Sequence, residues 1–204
     1  MDYIVIRKTA DIPATVSKSI TSAGWATYCS PYALDFSSDI TNLDDAFIVT
    51  GGANGVLAKT SVKGGTVAAG TGLLLKGSAG TATIPVAATG TDYTATNKLT
   101  GVTTNTEIAA ETGYVLMYDE TYGLAFYKNQ NAFTVGANTA YLPANFLGTL
   151  QSRSFFSFDG KVTGIDAALK DKGQMKSDVY NLNGQRVKKA AKGLYIVNGK
   201  KYVK

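Results

Sequence analysis

The sequence predicts an all-β protein: an antiparallel β-sandwich or partly open barrel with a weak internal two-fold repeat, plus a small C-terminal double-hairpin unit. The apolar segments are short and are separated by turn residues such as Gly51-Gly52 and Asn54-Gly55, as strands joined by turns require. An apolar period of 3.6 residues never persists for three helical turns. In addition, two stretches, about 45–78 and 112–145, resemble each other.

Ten short apolar segments are predicted as strands, and two short pieces, Ile40–Asp45 and Ile165–Leu169, are predicted as helical. The predicted strands are Tyr3–Arg7, Trp25–Cys29, Phe47–Thr50, Val56–Lys59, Gly72–Lys76, Thr81–Val86, Tyr114–Tyr118, Gly123–Tyr127, Ala140–Pro143 and Phe155–Phe158.

The repeat consists of a hairpin, a turn, a Val-x-Ala-x-Thr step and a further strand. The two hairpin strands recur after 67 residues and the last block after 68, a slip that a bulge or loop can absorb. Chance similarity between short strands is the alternative to a true duplication. The matching blocks are 47–49, 56–58 and 67–74 in the first stretch, and 114–116, 123–125 and 135–142 in the second.

The composition excludes several kinds of chemistry. The chain has no histidine and a single cysteine, Cys29. This excludes catalysis by Ser-His-Asp or Cys-His groups, and it also excludes metal sites built on Cys or His. Without a His partner, Cys29 is interpreted as a small buried hydrophobe. We predict no enzyme activity, no cofactor and no metal.

The charge of the chain is divided unevenly. Residues 166–204 hold ten basic and three acidic residues, a net charge of +7, whereas residues 1–165 hold ten basic and twelve acidic residues, a net charge of −2. The basic residues alternate along predicted hairpin strands without aromatic stacking partners. We therefore predict no nucleic-acid partner and interpret these lysines as edge-strand charges that discourage aggregation.

No stretch approaches the roughly 20 apolar residues of a membrane span, so we predict none. The start, Met1–Arg7, lacks the basic leader and the long apolar region of a signal peptide. We expect a signal peptide to have been removed or to lie outside this chain.

The last part of the chain is predicted to be a separate unit. Asn183-Gly184 and Asn198-Gly199 each stand between two β-prone runs, which is the strongest short hairpin signal. The sequence thus predicts a β body at 1–165, a linker at 166–176 and a C-terminal hairpin unit at 177–204.

Two segments resemble known bacterial surface proteins. The runs VYNLNGQRV (179–187) and KGLYIVNGKK (192–201) resemble the C-terminal segment of many secreted and cell-surface proteins of Bacteroidetes, and are similar to, but shorter than, type IX sorting domains. The runs ITSAGWATYCSPYALDF (20–36) and AGTGLLLKG (69–77) resemble a β module near the ends of large surface proteins in those bacteria. The resemblance implies a secreted or surface location and an accessory, non-catalytic role.

Two aromatic clusters are candidate ligand sites. Trp25 and Tyr28, with Tyr32 nearby, could form a stacking platform for a sugar ring, although a lone Trp is typically a core residue. In the second cluster, strand alternation places Tyr114 and Tyr118 on one face. Tyr122, Phe126 and Tyr127 complete this second cluster, for which cross-strand pairing of aromatic rings is the alternative to ligand binding.

Two further interpretations use carboxylates. Asp35, Asp39, Asn42, Asp44 and Asp45 supply oxygen atoms that could hold Ca²⁺, but they lack the spacing of a calcium loop, and Asx turns with a helix cap explain them equally. A glycan hydrolase would need two facing carboxylates. Besides the acidic run, four carboxylates are available, and they fall mostly in turn-like stretches: Glu107, Glu111, Asp119 and Glu120.

The sequence therefore favours a non-catalytic binding or adhesion module at the cell surface, whose partner is a glycan or a host or surface protein. The alternative is a structural or targeting module, whose residues 177–204 meet a secretion or anchoring machinery. A carboxylate-based glycan hydrolase is the remote alternative.

Overall fold

The computed structural model describes residues 12–158 and, further along the chain, strand residues 179–181, 186–187, 194–197 and 200–203. These residues contain no helix, and their paired strands run antiparallel. No sheet within them closes on itself. The predicted all-β, sandwich-like fold is confirmed.

The chain divides into two compact units, Met1–Thr163 and Gly164–Lys204. The described part of the first unit contains fifteen strands: β1 (Thr15–Ile20), β2 (Trp25–Tyr28), β3 (Leu34–Asp35), β4 (Asp45–Ala53), β5 (Val56–Ser61), β6 (Thr66–Val67), β7 (Leu73–Lys76), β8 (Gly80–Pro85), β9 (Thr100–Val102), β10 (Thr106–Ile108), β11 (Gly113–Asp119), β12 (Gly123–Lys128), β13 (Phe133–Val135), β14 (Thr139–Pro143) and β15 (Phe155–Phe156).

Twelve of these strands form two copies of one arrangement. Sheet I has the strand order β2-β7-β4-β5, and sheet II has the order β9-β14-β11-β12, with β15 added beside β12. Each copy also has a two-stranded sheet, β3-β6 in the first and β10-β13 in the second. The first copy, β2–β7, and the second copy, β9–β14, thus pair their strands in the same order, which supports a true duplication.

The copies also share a turn. Gly70 and Asn138 occupy equivalent places before the last strand of each copy, and their φ angles are 80° and 55°. The hydroxyls of Thr71 and Thr139, one residue later, each donate a hydrogen bond to the carbonyl oxygen three residues earlier. The Val-x-Ala-x-Thr step of the sequence therefore encodes a specific turn in both copies.

Apolar side chains fill three layers. The layer between sheets I and II takes Leu74 from the first copy and Phe126 and Leu142 from the second. Leu73 and Leu75 point to the opposite face of sheet I, where β1, β3 and β8 cover them. A smaller third layer lies beyond sheet II. Because β7 is buried on both faces, its sequence is a continuous apolar run and not an alternating one.

The segment around β15 joins the two sheets at one side. Phe156 pairs with Phe126 in sheet II. The next residue, Ser157, donates its N–H to the carbonyl of Gly55 at 2.9 Å and accepts the N–H of Leu57 at 2.7 Å. Gly55 and Leu57 lie at the turn and start of β5, the edge strand of sheet I, so this segment covers part of that edge.

Strand β1 was not among the predicted strands. Its inward positions are Val16, Lys18 and Ile20, and the lysine interrupts the expected apolar alternation. In the structure the Lys18 ammonium lies 5.6 Å from the centre of the Tyr28 ring, and burial lowers the pKa of Lys18. The aliphatic stem of the lysine thus occupies an apolar position, which the sequence pattern could not reveal.

The predicted helical piece at Ile40–Asp45 is wrong. These residues form a turn that leads into β4, and Asn42 has a φ of 63°, which an α-helix does not permit. The Asn42 side-chain amide donates to the carbonyl of Thr81 at 3.0 Å. A tertiary hydrogen bond to β8 thereby fixes a conformation that local propensity disfavours.

Cys29 is fully buried between the copies, as predicted. Its N–H donates to the carbonyl of Asn138 in the second copy at 3.4 Å. Burial raises the pKa of the Cys29 thiol to about 11. The thiol is therefore protonated at neutral pH and acts as a small apolar group.

The second unit contains β16 (Val179–Asn181), β17 (Arg186–Val187), β18 (Leu194–Val197) and β19 (Lys200–Val203), in the sheet order β17-β16-β18-β19. Two antiparallel pairs in tandem are the arrangement expected from the two Asn-Gly steps. The steps themselves, the predicted linker at 166–176, the helical piece at Ile165–Leu169 and the strand at Tyr3–Arg7 lie outside the described residues.

Candidate functional site

Trp25 lies at the edge of the core between the sheets. Its ring is 4.8 Å from that of Phe158 and 5.9 Å from that of Phe47, measured between centres. The Lys59 ammonium lies 5.8 Å from the Trp25 ring centre and 5.5 Å from that of Phe47. A half-buried Trp between two aromatic rings and a cation fits the core alternative better than an open stacking platform.

Tyr28 and Tyr114 are buried, so their prediction as surface ligand contacts is corrected. The Tyr114 hydroxyl donates to the carbonyl of Arg153 at 2.8 Å, with the carbonyl of Gln151 at 3.2 Å. Burial raises the pKa of Tyr114 to about 12. This tyrosine thus ties the β14–β15 connection to the core.

The reason for the error at Tyr114 is the length of β11. Alternation does place Tyr114 and Tyr118 on the same face, but four residues of strand separate them by about 13 Å. The core covers the start of β11 and not its end, where Tyr118 is 67% exposed. One face of one strand therefore passes from the core to the surface.

The exposed end of the β11–β12 hairpin carries a row of neighbouring aromatic rings. Tyr122, which is 37% exposed, lies 5.3 Å from Phe155 between ring centres, with the planes 28° apart. Phe155 in turn lies 5.6 Å from Tyr127. We call Tyr122, Phe155 and Tyr127 the aromatic row. Met117, 49% exposed, lies on the Tyr127 face of the same hairpin.

Hydrogen bonds hold the aromatic row in place. The Asp119 carboxylate accepts the N–H groups of Thr121 and Tyr122 at 2.8 and 2.9 Å. The Tyr127 hydroxyl donates to the carbonyl of Gly123 at 2.8 Å, and Gly123 has the φ of 76° that this turn needs. Burial, with the charge of Asp119 nearby, raises the pKa of Tyr127 to about 12. The turn and the ring positions are thus set by the fold.

Phe155 was predicted as a strand residue but not as part of a site. It joins the aromatic row because β15 pairs with β12, where Tyr127 and Phe155 are partners. The two residues are far apart in sequence, and no local pattern indicates that pairing. In the sequence, only the aromatic residues of the β11–β12 hairpin indicated a site in this region.

The equivalent hairpin of the first copy lacks these aromatic residues. Its turn region is Gly51–Gly55, with the two-residue Asn54-Gly55 turn. A Cβ added at Gly52 would lie 3.5 Å from Phe146, and one at Gly55 would lie 3.0 Å from the Arg153 guanidinium. Later parts of the chain therefore pack against the first hairpin tip. The duplicated fold forms without exposed rings at this position.

The calcium interpretation of the acidic run is not supported. The Asp39 carboxylate pairs with Lys63 at 3.0 Å, and that of Asp45 accepts the hydroxyl of Ser61 at 2.6 Å. Asp35 accepts the N–H of Ser37 in an Asx turn. Each of these three carboxylates has its own local partner, and across the described part of the chain no three His, Cys, Asp or Glu side chains are grouped to hold a metal.

Fold and site together define a duplicated, β-sandwich-like module with an ordered aromatic surface at one hairpin. No protein-family model, curated protein or solved structure matches the chain. Among the described residues, none belongs to a helix long and apolar enough to cross a membrane.

Proposed function

We propose that this chain is a non-catalytic binding or adhesion module of a secreted or surface-displayed bacterial protein, and that it contacts a glycan through the aromatic row. Tyr118, which lies at the same hairpin end on the opposite face of β11, offers a further exposed ring. The observation that carries the proposal is the contact of the Tyr122, Phe155 and Tyr127 rings in a row at the exposed hairpin end, where Tyr122 stacks on Phe155 and Phe155 lies tilted against Tyr127. A contiguous exposed apolar patch is typical of an interaction site.

The chemistry of the aromatic row suits a sugar ring. The neighbouring rings offer flat apolar faces, while the Tyr122 hydroxyl offers a hydrogen-bond donor and acceptor beside them, and the Tyr118 hydroxyl offers another at the same hairpin end. Asp119 fixes the turn that carries Tyr122, so little conformational entropy is lost when a ligand binds. The absence of these rings from the first copy argues that the fold alone does not require them.

A double variant tests this proposal. We expect Tyr118→Ala/Tyr122→Ala to lower affinity for the glycan bound on an array by at least about tenfold, because aromatic contacts of this kind contribute 1 kcal/mol or more each. The array identifies the glycan, and titration with that glycan then measures the affinities of the wild type and the variant. Phe133→Ala, which removes another exposed ring outside the aromatic row, should leave affinity unchanged. Equal affinity of the wild type and the double variant would reject the site. If the chain captured a protein but bound no glycan on the array, a glycan as ligand would be rejected.

The second unit favours a second role for the same protein. The strands described in it form a sheet of their own, and its sequence resembles C-terminal segments of exported proteins. We propose that residues 177–204 present this sheet to a secretion or anchoring machinery. Deleting them should reduce the surface-bound amount of the protein in its native host by at least about tenfold, as measured by immunoblotting of cell fractions. Unchanged export with normal expression would contradict this role.

A further inference from the structure

A polar cleft of about 370 Å³ lies where the two copies meet. One wall is the turn that contains Gly70 and Thr71, and the other is the segment 92–99 that leads from the first copy to the second. The volume falls in the range of small-molecule sites, about 300–1,000 Å³. The cleft is separate from the aromatic row, since none of its lining residues belongs to β11, β12 or β15.

Hydrogen bonds make the walls of the cleft rigid. The Asn97 side chain donates to the carbonyl of Gly72 at 2.7 Å and accepts the N–H groups of Val49 and Leu99 at 3.2 and 3.1 Å. The Thr71 hydroxyl donates to a carbonyl in its own turn at 2.7 Å. Asn97 thus fastens the connecting segment to the first copy, and the cleft needs little rearrangement to receive a ligand.

The lining has the chemistry of a site for hydroxyl groups. Asp92 is its one acidic residue, and the Thr94 hydroxyl and N–H both donate to one of its carboxylate oxygens. These hydrogen bonds hold the pKa of Asp92 below its usual value, so the carboxylate is charged at neutral pH. Thr71, Thr100 and the glycines of the two walls line much of the rest.

The charge of the cleft selects against anions. Its lining contains a carboxylate but neither Lys nor Arg, so a phosphate, sulfate or carboxylate ligand would find no cationic partner there. A single carboxylate is also too few ligands for Ca²⁺, which takes six to eight oxygen atoms. A neutral molecule with adjacent hydroxyl groups can donate two hydrogen bonds to the carboxylate and place a carbon face against the half-buried Tyr93.

We infer that this cleft is a second binding site, which takes one or two rings of a neutral sugar through hydrogen bonds to Asp92. The inference goes beyond the aromatic row: a sugar can occupy the cleft whether or not a glycan binds at the β11–β12 hairpin. A module with both sites would hold a long glycan at two points, and the two contacts would raise the overall affinity through effective concentration.

Backbone amide NMR of the full chain tests the inference, with a panel of neutral mono- and disaccharides as probes. At least one sugar should produce saturable shifts at the N–H groups of 70–72 and 92–101. Asp92→Asn, which keeps the shape of an exposed side chain, should weaken that binding by at least about tenfold, as expected for hydrogen bonds to a charged group. The matched control is Glu107→Gln, an exposed acid outside the cleft, which should bind as wild type.

Three outcomes would overturn the inference: no saturable shift at these groups with any sugar, equal affinity in Asp92→Asn, or the same shifts with CaCl₂ alone. The Tyr118→Ala/Tyr122→Ala variant separates this site from the aromatic row. Retained cleft binding in that variant supports two independent sites. Loss of cleft binding there, with the fold intact, would show that the sugar binds at the aromatic row and would reject the second site.

Discussion

Replacing Gly77 with alanine is expected to destabilise the first unit by at least about 3 kcal/mol. The added Cβ would lie 1.9 Å from the carbonyl oxygen of Asn42 and 2.8 Å from Cδ1 of Ile20. The closest atom is backbone and cannot rotate away. Gly77 itself cannot withdraw freely, because its N–H donates to the carbonyl of Gly24 at 3.0 Å.

The turn at Asn42 is also unable to yield. Its side chain is bonded to Thr81 in β8, and its backbone has a left-handed φ. Moving the Asn42 carbonyl by more than 1 Å would disturb that hydrogen bond and the start of β4. The close approach of two backbones at Gly77 is therefore a constraint on the whole first copy.

Gly51→Ala is the matched control for this prediction. Gly51 also lies in sheet I, but nothing lies within 4 Å of a Cβ built there, so we expect a change of no more than about 0.5 kcal/mol. Urea unfolding followed by the fluorescence of Trp25, the only tryptophan, reports on the first unit. Unfolding of Gly77→Ala at the same urea concentration as Gly51→Ala would contradict the close backbone packing at Gly77.

Features encoded by neighbouring residues could be predicted from the sequence. The β4–β5 hairpin was predicted at Asn54-Gly55, where both φ angles are positive, 54° and 83°, because few residues tolerate that conformation. The duplication was visible because each copy repeats a turn with its own internal hydrogen bonds. In both cases the information is contained within a few consecutive residues.

Features that depend on distant parts of the chain could not be predicted. The exposure of Tyr118 and the burial of Tyr114 depend on how far the core reaches along β11. The turn at Asn42 depends on a bond to Thr81, and the role of Phe155 depends on the pairing of β15 with β12. The sequence indicated the surface cluster of the candidate site but not which of its rings face solvent.

Phe156→Ala is expected to cost about 3–5 kcal/mol of stability, the usual range for a buried Phe. The Phe156 ring is fully buried and lies edge-on to Tyr114 at 5.1 Å and to Phe146 at 5.0 Å, between ring centres. Removing the ring leaves a cavity in the layer between sheets I and II. Urea unfolding of the variant measures the decrease in the free energy of unfolding, and a decrease below about 1 kcal/mol would contradict this packing.

The adjacent residue provides the matched control, because successive side chains of a strand point to opposite faces. Phe155→Ala removes the central ring of the aromatic row, which is half-buried, and leaves the core layer intact, so we expect a stability loss of about 1 kcal/mol. Glycan affinity should nevertheless fall at least about tenfold, whereas folded Phe156→Ala, assayed below its unfolding temperature, should bind as wild type. If Phe155→Ala kept full affinity, the aromatic row would be structural packing alone. A single step along β15 thus separates the residue that holds the sheets together from the residue proposed to meet the ligand.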